Sequence, residues 1–351
     1  MDILITIVTA TIVLGFLVFI HEGGHFLAAR AFGVRVSEFM IGLPGPRIGF
    51  TWAGTRFGIT AIPLGGYASI CGMAPHFEHD KTKDILIYTY RNGSVSLDEV
   101  MNTFGMNEDD AFSALEELCD WGSLERPTRK DSVNIYRTPA TKTDPLGSQR
   151  YIEDPEAFYD HERSLQYFML PFWKRSIILL AGPFMNLLFT IVAFIIIYSI
   201  IGLDLQNTQT GEITHVTYNP IESIGAGFRL IGMTLVAIAG LFNPETAAQT
   251  ISNSTSIVGI AIMSKGAFEA GLINFLFFAA VISVSLGLMN LLPIPPLDGG
   301  RFVVEVFQKI SKKTVSIKAL NYMSLAGMVL FGVFFLVMLN QDVQRYIFGN
   351  W

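Results

Sequence analysis

The chain has 351 residues, 51% of them apolar, and 15% are charged, against roughly a quarter in soluble domains. With a mean hydropathy of +0.44, this excludes an ordinary soluble globular protein and points to an α-helical polytopic membrane protein. The net charge of −6 comes mainly from one internal segment and says nothing about the apolar part.

Ile3–Ile20 carries no charge and is long enough to cross a hydrocarbon core of about 30 Å. A signal peptide is the competing reading, but there is no basic leader and no small-residue cleavage site, and the stretch runs straight into "HEGGH" at 21–25. Ionisable side chains at membrane depth are costly and mark function. On a helix, His21 and His25 share one face and can reach one metal ion, with Glu22 beside them as general base for an attacking water. The bland alternative is a pair of interfacial histidines with ordinary hydrogen bonds.

Residues 47–70 alternate apolar and polar around Ala53-Gly54-Thr55, as a β-hairpin does. On periodicity alone, a hairpin at the protein surface is the less favoured alternative. The segment 84–138 reads as helix, short strand, helix, helix, hairpin. Ser96-Leu97-Asp98-Glu99 is a capping box, Gly105 ends that helix and Asn107 caps the next. Ala111, Leu115, Leu118 and Trp121 form the next helix's buried face; Leu124–Arg126 and Val133–Arg137 flank a basic tip at Thr128–Asp131. This order is similar to a small α+β winged helix. Glu108, Asp109, Asp110, Glu116, Glu117 and Asp120 on its last helix would repel phosphate, so a protein partner is favoured over nucleic acid. Residues 138–166 read as a polar linker, and His76 and His79 as part of a solvated loop rather than a metal site.

Three further spans follow at 176–202, 271–292 and 320–339, about four transmembrane helices in all, while 221–242 with Arg229 reads as an amphipathic interfacial helix. Between the third and fourth spans, "NLLPIPPLDGGR" at 290–301 breaks an apolar run with Pro293, Pro295 and Pro296 and presents Asp298 before Gly299-Gly300. Irregular backbone at membrane depth is tolerated where it lines a polar interior, so Asp298 is a candidate third metal ligand. Lys and Arg concentrate after the first span, before the second and between the last two. This places both termini outside and the 73–167 insert in the cytoplasm. Cys71 and Cys119 then fall in a reducing compartment, and their spacing suggests neither zinc nor a disulfide.

HEGGH with the trailing "FLAARAFGVRVSEFMIG", "IPLGGY" at 62–67, "AGPFMN" at 181–186 and "NLLPIPPLDGGR" occur in one order. Together they resemble the site-2 proteases, intramembrane zinc metalloproteases, and within them the bacterial regulator of sigma-E protease group. The resemblance covers 1–72 and 168–345. It implies Zn2+ held by His21, His25 and Asp298, Glu22 as general base, and a multi-pass protein of the bacterial inner membrane. It also implies Asn290 near bound substrate and Gly65 and Gly66 on the substrate path, while Gly182, Pro183 and Asn186 match a second-span motif with a structural role, Asn186 being also a candidate to line the site. The hairpin then dips into the bilayer as a membrane-associated element and offers an edge to an unwound substrate strand. Substrates would be single-span membrane proteins, such as anti-sigma factors or signal-peptide remnants. The chain departs from that group in two ways: 203–270 is too short for its usual PDZ domain and following helix, and 73–167 is inserted.

The expected organisation is thus 1–72 (first span and hairpin), 73–167 (winged-helix-like insert and linker), 168–202 (second span), 203–270 (extracytoplasmic segment) and 271–351 (last two spans with the LDGG motif). The rival functions are a membrane-tethered regulator, whose insert at 84–138 binds a cytoplasmic partner, and a metal transporter. The near absence of further ionisable residues along the spans speaks against the transporter.

Overall fold

The computed structural model describes the chain except residues 1, 63–64, 74–78, 129–133, 142, 207–210, 347 and 350–351. The basic tip with Arg129 and Lys130, the start of the expected strand at Val133, His76, and Pro63-Leu64 therefore lie outside the described residues.

Helix α1 runs from Asp2 to Ala31 in one piece, so the apolar span and HEGGH are one continuous helix, ended by Gly33 at φ +79. Strands β1 (Val36–Ile41), β2 (Arg47–Trp52), β3 (Thr55–Thr60) and β4 (Gly66–Ile70) form one sheet in the order β2-β3-β1-β4. The expected hairpin is β2-β3: Trp52 pairs with Thr55 across Ala53-Gly54, and φ values of 49 and 80 at those two residues are those of a two-residue primed turn. The remainder of the expected hairpin is corrected. Gly66–Ile70 crosses over to pair antiparallel with β1, which in turn runs parallel to β3. Periodicity reports that a stretch is a strand, not which strand it joins. Ile48, Phe50 and Trp52 on outer strand β2 are 86%, 67% and 68% exposed, an apolar edge suited to lipid rather than water.

The insert has a core of its own. Helix α2 (Thr82–Asn92), strand β5 (Ser94–Ser96), helices α3 (Leu97–Phe104) and α4 (Glu108–Asp120) and strand β6 (Ile135–Arg137) enclose Ile85, Leu86, Leu115, Leu118 and Trp121. The capping box is present, Gly105 closes α3 in the left-handed conformation, and Asn107 accepts from the Asp110 amide. Strand β5 pairs with β6, and Glu125 bridges to Arg137.

The stretch read as a linker is not one. It contains helix α5 (Pro155–Ser164), started by the Asp154 carboxylate and Pro155, and Ile152 and Tyr159 are buried in the insert's core. A short helix with two buried side chains leaves too weak a period to see in sequence.

Helix α6 (Phe172–Ile195) continues as a wider turn to Ile201. A hairpin of β7 (Leu203–Gln206) and β8 (Ile213–Val216) follows, then helices α7 (Pro220–Gly240), α8 (Ala247–Asn253), α9 (Ile257–Glu269), α10 (Leu272–Asn290), α11 (Asp298–Ser311) and α12 (Ile317–Tyr346). Five helices among the described residues have the length and apolarity to cross a membrane, and α7 is one of them. On length and composition, α7, expected as an interfacial helix at 221–242 beside four spans, qualifies as a candidate fifth span. The two charges, Glu222 in its first turn and Arg229 near its middle, leave the 21-residue helix apolar enough to qualify.

The membrane helices meet through small residues, as expected where lipid removes the hydrophobic drive for helix association. A side chain on Gly24 would collide with the Ala181 carbonyl, and one on Gly287 would press on the Pro183 carbonyl at 3.0 Å. Ser283 donates to the Asn186 carbonyl (2.9 Å) and Thr190 to that of Ala280 (3.1 Å), stitching α6 to α10. Only Gly327 and Asp342 of α12 are buried.

Candidate metal centre

One helical turn separates His21 from His25, and both imidazoles are buried on the face of α1 that meets α6. Asp298 comes from the opposite end of the chain, as the first residue of α11. The glycines after it serve close packing rather than flexibility, because a side chain at Gly299 would strike the Leu291 carbonyl and one at Gly300 the Ile294-Pro295 backbone. The start of α11 is thereby pressed against the loop that precedes it.

His21 Nε2 lies 3.1 Å from Asp298 Oδ2, His25 Nε2 lies 3.2 Å from the same oxygen, and the two Nε2 atoms are 3.3 Å apart. Three donors around a tetrahedral ion at roughly 2.0–2.1 Å would stand about 3.3–3.4 Å from one another. Two neutral imidazoles and a carboxylate also form the donor set of a catalytic zinc site with one position left open. Among the described residues, these three form the group of His, Cys, Asp and Glu able to hold a metal ion.

Each imidazole is oriented from behind, as metal-binding histidines are. His25 Nδ1 is 2.7 Å from the Ile178 carbonyl, so its N–H donates there and Nε2 keeps a free lone pair. His21 Nδ1 faces the Asn186 carboxamide at 3.2 Å. Asn186 Oδ1 is buried without a partner. A half-turn of that amide lets Oδ1 accept from the His21 Nδ1–H, which satisfies the orphaned oxygen and again leaves Nε2 free.

Glu22 sits beside the cluster and accepts from the Ala68 amide at 2.9 Å. That amide belongs to β4, the sheet's edge strand, and points away from β1 toward α1. Gly66 fits under the same helix, where a side chain would lie 2.8 Å from Val18 Cγ1, and 3.7 Å from Glu22 Cγ. Gly65, at φ +87, accepts from the Gly42 amide at 2.8 Å in the crossover before β4.

Asn186 and Asn290 are the two asparagines expected near the substrate path. Asn186 is buried behind His21, its amide facing the ring's Nδ1. Asn290 ends α10 and turns its amide back onto the Leu286 carbonyl at 3.1 Å. Sequence reading missed the Ile178 carbonyl and the Ala68 amide. Both are backbone groups, which leave no residue-type signal.

The model of peptidase family M50 matches residues 9–334, nearly the whole chain and both halves of the cluster. The chain belongs to peptidase family M50. Similar proteins align with the chain over almost their full lengths. A candidate zinc metalloprotease of Rickettsia conorii is 26% identical over 97% of this chain and 99% of its own. One of Campylobacter jejuni is 25% identical over 98% and 94%, and one of Streptococcus pyogenes 25% over 97% and 99%. As an M50 chain with several membrane-length helices, this is an intramembrane zinc metalloendopeptidase.

Proposed function

We propose that His21, His25 and Asp298 hold the zinc ion and that Glu22 is the general base for hydrolysis of peptide bonds in membrane-spanning substrates. The observation that carries this reading is the convergence of three donor atoms within 3.1–3.3 Å of one another, with a fourth ionisable group alongside. A bound zinc ion would supply Lewis acidity for the scissile carbonyl and an acidified water at neutral pH. Glu22, steered by the Ala68 amide, takes the water's proton and passes it to the leaving nitrogen. The Ile178 carbonyl and the Asn186 amide keep both imidazoles in the tautomer that presents Nε2. The close packing around Gly24 and Gly66 leaves little room for bulk water.

A transmembrane helix hides its peptide bonds in intrahelical hydrogen bonds, so a substrate must unwind before attack. The outer edge of β4, which already sends one amide to Glu22, is suited to receive the unwound strand. Gly65 and Gly66, at the start of β4, are assigned to the substrate path. The substrate class that fits is the single-span membrane protein, such as an anti-sigma factor or a signal-peptide remnant. The distribution of Lys and Arg supports a bacterial inner-membrane protein with both termini outside and the insert in the cytoplasm. The insert's helix-strand-helix-helix-strand order supports a winged-helix-like module at 84–138. Exposed Glu108, Asp109, Asp110 and Asp120 on α4 favour a protein partner over nucleic acid. Salt-dependent binding of duplex DNA by the full-length protein would overturn that last reading.

The test of the activity is cleavage of a one-span model substrate by purified protein, with and without a zinc chelator, beside Glu22→Gln. Loss of a general base is expected to lower kcat by about 10²–10⁴-fold, and the chelator to stop cleavage reversibly. Equal cutting by Glu22→Gln sinks the mechanism.

A further inference from the structure

The cytoplasmic insert is not merely strung between two membrane helices. Arg35, the residue before β1, is gripped by three of the insert's segments at once. Its guanidinium donates to both oxygens of Glu162 on α5, at 2.8 and 2.9 Å, to Ser123 Oγ at 3.4 Å and to the Trp121 carbonyl at 3.3 Å. Ser123 Oγ donates to Glu162 at 2.6 Å. The Arg35 backbone is held as well: its N–H donates to the Leu165 carbonyl and its carbonyl accepts from Cys71, both at 2.9 Å. The Cys71 carbonyl in turn accepts from Tyr167 at 2.9 Å. The entry and exit of the insert are therefore joined to one residue at the mouth of the sheet.

From that residue the connection to the chemistry is short and covalently or hydrogen-bonded at each step. Arg35 leads into β1, Phe39 of β1 pairs with Ala68 of β4, and Ala68 donates its amide to Glu22. A displacement at Arg35 is carried by a sheet whose strands cannot slip singly without breaking the ladder.

We propose that Arg35 and Glu162 are positioning residues, through which the cytoplasmic insert sets the placement of β4 and hence of Glu22. This rests on the proteolytic reading above. It makes the insert an input to the active site: whatever shifts α5 or the end of α4 alters turnover more than affinity.

The experiment replaces the polar lock by apolar groups of similar size, in the full-length protein, with Arg35→Met, Ser123→Ala and Glu162→Leu combined. Apolar replacement of a whole buried network spares stability where removal of one member does not. Two quantities are read: kinetics on the one-span substrate, and amide hydrogen exchange over 66–70. The expected result is a fall in kcat of about tenfold, the scale of a small misplacement of a catalytic group, with KM changed by less than about twofold. Exchange over 66–70 should quicken while that of the α2 core, 85–90, stays as in wild type. Arg35→Lys keeps the charge without the two-pronged geometry and reads the same quantities should the triple variant fail to fold; there, kcat should fall between the triple and wild type. Unchanged kcat or unchanged exchange over 66–70 overturns the proposal. An inactive wild type, or an active Glu22→Gln, removes the proteolytic reading instead, and the exchange measurement remains readable without catalysis.

Discussion

Gly182 lies against the imidazole of His25 so closely that a side chain at that position would occupy the space of the ring's Nε2 atom. The second membrane helix thus fixes the His25 side chain of the first by having nothing there. Gly182→Ala should push the ring out of place. Displacements of about an ångström cost roughly a hundredfold in turnover, and bound zinc per molecule should fall with it. Full zinc content together with normal cleavage would contradict the packing argument.

Asn186 acts behind His21. Asn186→Leu leaves His21 Nδ1–H without an acceptor in a buried setting. Loss of such an orienting partner typically weakens metal affinity by about 10–100-fold. Competition with a graded chelator series measures it. Asn186→Asp, which keeps an acceptor, should lose much less, and equal losses in the two variants would remove the orienting role.

The Arg35–Glu162 pair carries a pH signature. Burial pushes the Glu162 carboxyl up, but the Arg35 guanidinium and Ser123 more than offset this, so the native carboxyl sits below its ordinary value. A carboxyl depressed in the folded state adds stability that is complete above its unfolded range and lost as pH falls through the native value. Protection of the insert's core amides should therefore weaken on acidification, from just above the ordinary carboxylate range downward. Glu162→Gln should show less protection at neutral pH and a flatter profile. Parallel profiles for the two proteins would assign the acid sensitivity elsewhere.

Asp342 anchors the last helix. Its carboxylate accepts from the Ser256 amide and hydroxyl, both at 2.6 Å, from the Gly259 amide at 3.0 Å and from Thr255 Oγ1 at 3.1 Å. Asp342→Ala abandons these donors, at about 1–3 kcal/mol for each one left buried without an acceptor. The fraction of detergent-solubilised protein surviving a heat step should drop. Survival equal to wild type would show that α12 is held by other means.

What could be read from sequence follows from what the physics writes into residue types. His21, Glu22 and His25 stand out because ionisable groups at membrane depth are costly, and Asp298 because prolines and a carboxylate interrupt an apolar run. The Ala53-Gly54 turn and the Ser96–Glu99 capping box are local and were legible for that reason. The partner of β4, the packing of α5, and the Ile178 and Ala68 backbone groups were not. Each depends on which distant segment comes alongside, and a backbone amide looks the same in every residue. Asn186 was visible as a motif position, yet its direction, toward His21 rather than toward a substrate, required the α1–α6 contact. Helix α7 has the length and apolarity of a span despite Glu222, Arg229 and its glycines.

With thirty residues and two buried positions, α12 is tied to the rest of the molecule at Gly327, which sits on the Pro295 carbonyl, and at Asp342. Between those two fastenings most of its side chains are exposed and answer mainly to the surrounding oil. Its exposed leucines, valines and phenylalanines are interchangeable for one another in a way that the buried residues of α1 and α6 are not, and divergence among such chains should collect there first.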